Sequence, residues 1–234
     1  MLDQLSSEKF KKHSSYVNKI IDYLFNSWIW DKLAFKWWTL AYLCYNLDRY
    51  STDIDLDLLD HKFEEEIKDT ITKILWRIWE IKNTTWWRDL HRWIFRYDEH
   101  SMNIKIELNK RDLTWNTYEN KIINWTNICC MDKETMTTNK LLALWTRRYN
   151  RDLYDTCFFR KQWFEYKEEI IENRIWMWLK DFIMFVIKDI PKQFDTKSIL
   201  ADWMWDVLTD NQKKWVKEFL INETINELEK YIKW

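Results

Sequence analysis

The sequence predicts an α+β protein. A small mixed β-sheet with flanking helices is expected over residues 1–130, followed by a helical lobe over residues 131–234. Three observations predict this division. "TDIDLDLL" (52–59) alternates strictly, with Asp53, Asp55 and Asp57 on one face and Ile54, Leu56 and Leu58 on the other. "HRWIFRY" (91–97) and "NIKIELNK" (103–110) also read as strands, joined by the polar reversal "DEHSMN". From Asp132 onward the apolar residues recur at helical spacing instead.

The elements follow in chain order. Residues 8–27 read as an amphipathic helix through Phe10, Val17, Ile20, Ile21, Tyr23 and Leu24. Residues 31–46 read as a short helix after a turn, and residues 61–80 as another helix. In the 103–110 strand, Ile104, Ile106 and Leu108 point inward while Lys105, Glu107 and Asn109 point outward. "MDKETMTTNKLLALWTRR" starts a helix at an Asp132 cap, and "NRDLYDTCFFRKQ" is the next. One or two helices cover 165–190 and end near Pro191. The last, "TDNQKKWVKEFLINETINELEKYIKW", opens at a Thr209 or Asp210 cap.

Composition excludes several function classes. With 234 residues and 47% hydrophobic content, the chain can bury one core, or one core and a smaller second lobe. A net charge of −1 provides no global basic field, so contact with nucleic acid needs a local patch. "TRRYNR" (146–151) is the best such run. Cys44, Cys129, Cys130 and Cys157 form no metal-ligand spacing and read as inert thiols of a reducing compartment. The polar N-terminus does not resemble a signal peptide, and "DFIMFVIKDI" is too short and too charged to span a membrane. A cytoplasmic protein without a membrane segment is expected.

The chain has no glycine and 19 tryptophans. At ordinary usage it should hold about 16 glycines. Removing that number from the tryptophans leaves an ordinary remainder. Left-handed turns and helix C-caps also call for glycine. Most of these tryptophans are therefore expected to stand at glycine positions. Some bacteria read the UGA codon as glycine and other codes read it as tryptophan; deliberate replacement would leave the same trace. Few alanines and a single proline, beside abundant Lys, Ile and Asn, fit an AT-rich gene.

Candidate chemistry centres on Asp53 and Asp55. Two carboxylates spaced by two on a strand share a face and can hold a hard divalent cation such as Mg²⁺, which takes phosphate oxygens as further ligands. A charged solvent face gives the same pattern. Glu107 adds a third carboxylate if its strand neighbours the first. Upstream, "FKWWTLAY" (35–42) becomes "FKGGTLAY" when its tryptophans are read as glycine. A Gly-Gly-Thr turn entering a helix offers bare amides and a hydroxyl to phosphate.

With these motifs in order, the chain resembles the AbiEii/AbiGii toxin family of nucleotidyltransferases, in the DNA polymerase β-like superfamily. The resemblance rests on Lys36, Trp37, Trp38 and Thr39, then Arg49, Ser51, Asp53 and Asp55. It continues through "IKIELN" with Glu107, "TNKLLAL" with Lys140, and "NRDLYD" with Arg151, Asp152 and Asp155. It spans roughly residues 30–160. It implies a nucleotidyltransferase core with Mg²⁺ on Asp53, Asp55 and, as the weaker third ligand, Glu107. It places the NTP phosphates at Lys36, Thr39, Arg49, Ser51, Arg151 and the turn at Trp37 and Trp38. Lys140 would neutralise the triphosphate, and Asp152 or Asp155 would orient that lysine or act as a base. Asp57 would stand behind the ligands. The implied reaction moves NMP from NTP to an acceptor, RNA or tRNA in some relatives, within a toxin–antitoxin system tied to phage defence. The partner is an antitoxin that is usually a transcriptional repressor. A protein or small-molecule acceptor, or a binding module that has lost its chemistry, remains open from the residues. Trp145, Trp203 and Trp205 also read better as glycine, and Trp215 as a true tryptophan.

Overall fold

A computed structural model describes residues 2–49, 51–99, 101–111, 114–195 and 208–233. The chain divides into two units, Met1–Thr114 with Tyr118–Met131, and Trp115–Thr117 with Asp132–Trp234.

The first unit is built on a seven-stranded sheet. Its elements are α1 (Leu2–Phe25), β1 (Leu33–Lys36), α2 (Trp37–Cys44), β2 (Asp53–Leu58), a 3₁₀ turn (His61–Phe63), α3 (Glu64–Ile78), β3 (Glu80–Trp87), β4 (Leu90–Arg96), β5 (Ile104–Asn109), β6 (Tyr118–Ile123) and β7 (Thr126–Met131). The strand order is β3-β4-β5-β2-β1-β7-β6. β2 runs parallel to β5 and β1 parallel to β7, while the other neighbours are antiparallel. The sheet is therefore mixed, as the alternating patterns predict.

Period-two alternation decides which face is covered. Ile54, Leu56, Ile104, Ile106, Leu108, Trp93 and Phe95 are buried. The apolar stripe of α1 (Val17, Ile20, Ile21, Leu24) and that of α3 (Ile67, Ile71, Ile74, Leu75) are buried with them. Trp93 donates its indole N–H to Thr72 of α3 at 2.9 Å, which satisfies the polar atom of the largest side chain in this core.

The second unit is helical: α4 (Lys133–Arg147), α5 (Asn150–Lys161), α6 (Glu168–Ile175), α7 (Leu179–Gln193) and α8 (Asp210–Lys233). The Asp132 carboxylate caps α4 by accepting from Thr135 N at 2.7 Å, as its position predicts. Thr209 opens α8, where its amide donates to Gln212 Oε1 at 2.8 Å in a capping box.

Four strands differ from the sequence expectation. Residues 33–36 form β1, whereas a single helix was expected over 31–46. The helix expected over 61–80 begins as a 3₁₀ turn, ends at Ile78, and gives way to β3. β6 and β7 have no counterpart in the sequence reading. Trp203 and Trp205 lie outside the described residues. No described helix is long and apolar enough to cross a membrane.

Candidate active site

The polar face of the sheet carries a row of charged side chains. Register aligns Arg92 of β4 with Glu107 of β5, Glu107 with Asp55 of β2, and Asp55 with Lys36 of β1. One rung along, Asp53 faces Lys105, and one rung the other way Asp57 faces Asn109. Parallel pairing of two alternating strands produces this arrangement: once β2 and β5 share a register, their whole polar sets share a face. Glu107 is thus beside Asp55, on the strand that the sequence left unplaced.

The charges are unevenly matched. Lys105 Nζ lies 2.8 Å from Asp53 and 3.7 Å from Glu107. Arg92 donates to Glu107 at 2.7 Å. Burial, followed by the nearby Asp53 and Glu107 carboxylates, pushes the Asp55 carboxyl up to about 7. Three acids, one ammonium and one guanidinium leave this group one positive charge short. The hard oxygen donors of Asp53 and Asp55 fit a divalent cation, which would supply that charge. Arg92 and Lys105 both hold Glu107 through Oε1, so Oε2 is the oxygen that could join such a set.

Lys36, expected at the phosphates, is buried and forms an ion pair of 2.5 Å with Asp57. Asp57 also accepts from Asn109 at 2.7 Å and from Tyr118 at 3.1 Å. It acts as an anchor that fixes Lys36 beside Asp55. Thr39 and Ser51 share a hydrogen bond of 2.8 Å, and Thr39 also donates to the carbonyl of Asp53. The turn hydroxyl therefore ties the start of α2 to the start of β2.

The turn itself bends at Trp37, whose φ is 65°. That is the left-handed region, where a side chain beyond Cα is costly. The two indoles lie 6.0 Å apart, and the Arg49 guanidinium sits 4.4 Å over the Trp38 ring. Lys36 Nζ is 5.9 Å from the Trp37 ring. Lys36 and Arg49, two of the cations expected at the phosphates, are thus beside an indole.

In the second unit Lys140 is buried with Asp152 and Asp155. Its ammonium is 2.7 Å from Asp152 and 3.8 Å from Asp155, and Arg147 reaches Asp152 at 3.0 Å. Burial draws the Lys140 ammonium down to about 7 against the pull of both carboxylates. Burial also opposes the Asp152 charge, but Lys140 and Arg147 outweigh it and hold that carboxyl below its usual range. Asp152 is therefore the nearer of the two acids to the Lys140 ammonium. Arg151 and Arg147 flank the ring of the exposed Tyr149, at 5.1 Å and 5.8 Å.

Sequence reasoning missed Lys105 and Arg92. Each alternates on a polar face, and only strand register shows that it meets a carboxylate. It also missed Glu64, Glu65 and His91, whose ligand atoms lie within 4.8 Å of one another and so could hold a metal ion by distance. Lys110 Nζ already occupies Glu64 at 2.8 Å, opposite His91 at 2.8 Å, and burial with Lys110 lowers the His91 pKa. That trio reads as an ion cluster linking α3 to the sheet.

Comparison with known proteins supplies a family and a fold. The family model for "Nucleotidyl transferase AbiEii toxin, Type IV TA system" matches residues 31–177. The structure of JHP933 from Helicobacter pylori superposes with a TM-score of 0.60 at 21% identity, covering 97% of this chain and 93% of that one. An H. pylori protein described as a candidate nucleotidyltransferase superposes with a TM-score of 0.62 at 19% identity, covering 97% and 96%. At such identities the likeness shows the fold alone. No curated protein matches in sequence. The family match covers well over half of the chain and includes the Asp53–Asp55 strand, Glu107, Lys140 and the Asp152–Asp155 helix, so the chain belongs to the AbiEii nucleotidyltransferase toxins of type IV toxin–antitoxin systems, whose toxins pair with an antitoxin.

Proposed function

We propose that the protein transfers a nucleoside monophosphate from an NTP to RNA, with tRNA as the first candidate, in a Mg²⁺-dependent reaction that releases pyrophosphate. The row Arg92–Glu107–Asp55–Lys36, with Asp53 one rung away, carries this reading. It concentrates acids on rigid strands, and burial with the neighbouring carboxylates raises the Asp55 pKa to about 7.

Each residue then has a defined task. Asp53 and Asp55 would hold Mg²⁺, with Glu107 as the third oxygen donor. When bound, the cation supplies positive charge to the triphosphate and acidifies an acceptor hydroxyl. Asp57 keeps Lys36 aimed along the row. Thr39 and Ser51 set the turn of residues 37–38, whose amides would cradle phosphate oxygens. Arg49 would be the turn's cation. In the helical unit Lys140 would balance triphosphate charge, oriented by Asp152, with Arg151 near phosphate and Asp155 as the alternative base. Catalysis is then mostly positioning and charge neutralisation.

Tyr149, exposed between Arg147 and Arg151, supports an RNA acceptor: stacking and guanidinium contacts suit an unpaired nucleotide. The antitoxin would be a transcriptional repressor, and the setting a bacterial cytoplasm under phage attack. The deciding experiment incubates the purified protein with labelled NTPs, Mg²⁺ and total RNA. Label on tRNA that fails to form when EDTA is present during the reaction is expected. Label confined to protein would reassign the acceptor, and no transfer with any NTP would refute the reading.

A further inference from the structure

Four tryptophans occupy backbone conformations that belong to another residue. Among the described residues, seven non-glycine positions have positive φ, and Trp37, Trp125, Trp163 and Trp176 are four of them, at 65°, 68°, 59° and 60°. Tryptophan fills 19 of 234 positions, so an even draw of seven would include fewer than one. The remaining three are Asn46, Asn124 and Arg148, and asparagine tolerates this region through its short polar side chain.

Each of the four positions is also a recognised glycine slot. Asn124 and Trp125 form the two-residue loop between β6 and β7, both with φ > 0, which is the type I′ turn preferred by Asn-Gly. Trp163 follows the C-cap of α5. Its amide bonds the carbonyl of Arg160 at 2.9 Å while the Phe164 amide bonds Phe159 at 3.1 Å, the Schellman pair that ends helices on glycine. Trp176 ends α6 in the left-handed conformation, its amide on the carbonyl of Glu172 at 3.0 Å. Trp37 is the strand-to-helix turn.

The side chains gain little in return. Trp125, Trp176 and Trp163 are 97%, 92% and 63% exposed. Trp93, by contrast, is fully buried with its N–H bonded, and Trp215 packs edge-on to Tyr154 with Lys161 over its ring. Trp145 lies inside α4 and packs on Phe182, so its backbone makes no demand for glycine. Some tryptophans are thus held by packing while these four sit on left-handed backbone, in a chain with no glycine at all.

We propose that residues 37, 125, 163 and 176 are glycine in the protein made by its own cell, encoded by UGA codons that this cell decodes as glycine. The inference is independent of the enzymatic reading, and its tests need no activity. Peptide mass spectrometry of the protein purified from its native cells is expected to find glycine at all four positions. Tryptophan at these positions, or UGG codons in the gene, would overturn it. A second measurement uses the chain as written. Trp125→Gly, Trp163→Gly and Trp176→Gly are each expected to raise Tm by about 2–4 °C, since strain is relieved and little packing is lost, while Trp93→Gly lowers Tm. A fall in Tm at the three exposed positions would refute the conformational argument.

Discussion

Asp55 is where charge is least balanced, and two predictions follow at the residue scale. Its folded-state pKa, about 7, lies above the ordinary 3.8. The folded chain therefore keeps a proton that the unfolded chain releases over this window, and stability falls as pH rises from about 4 to about 7. Melting scans without divalent ions should show this slope, and Asp55→Asn should flatten it. An unchanged slope in the variant would assign the effect elsewhere. Asp55→Asn should also lower nucleotidyl transfer by about 100-fold or more, the scale of losing one charge-stabilising group. Asp53, Asp55 and Glu107 were legible because alternation alone assigns them to a polar face. Lys105 and Arg92 were not, because a cation on such a face looks solvated until its cross-strand partner is known.

Elements obscure their own signals when a marker residue is replaced. The β6–β7 hairpin escaped the sequence reading because its turn reads Asn-Trp, and the motif that announces such hairpins is Asn-Gly. β1 was hidden for another reason: four buried residues show no alternation and run straight into α2. β3 went unread because "EIKNTTWW" (80–87) shows no strict alternation of apolar and polar residues. The helix starts were readable, since a cap is local chemistry. Asp132→Ala should cost about 1–2 kcal/mol in urea unfolding, through the lost cap and the 2.7 Å ion pair with Lys167. At the turn before α2, Trp37→Gly/Trp38→Gly should tighten nucleotide binding at least tenfold, equivalent to about 1.4 kcal/mol in a calorimetric titration. Equal affinity in the two proteins would remove the turn from the binding account.

At the scale of the whole molecule, the α+β class and the change from sheet to helices near residue 131 were readable from periodicity alone, whereas sheet order was not, since pairing β2 with β5 across α3, β3 and β4 is a tertiary choice. Stability should depend most on charges removed from water. Asp152→Ala leaves Lys140 buried against one more distant acid, and should cost about 3–5 kcal/mol in denaturant unfolding. That is a large share of the roughly 5–15 kcal/mol typical of a folded domain. Lys105 has the opposite significance. Its ammonium already bridges Asp53 and Glu107 and serves as a monovalent stand-in at the acidic centre. If these acids hold a metal–nucleotide complex as proposed, that complex would first have to displace the lysine, so the supply of loaded nucleotide, and not refolding of the protein, would set when chemistry begins.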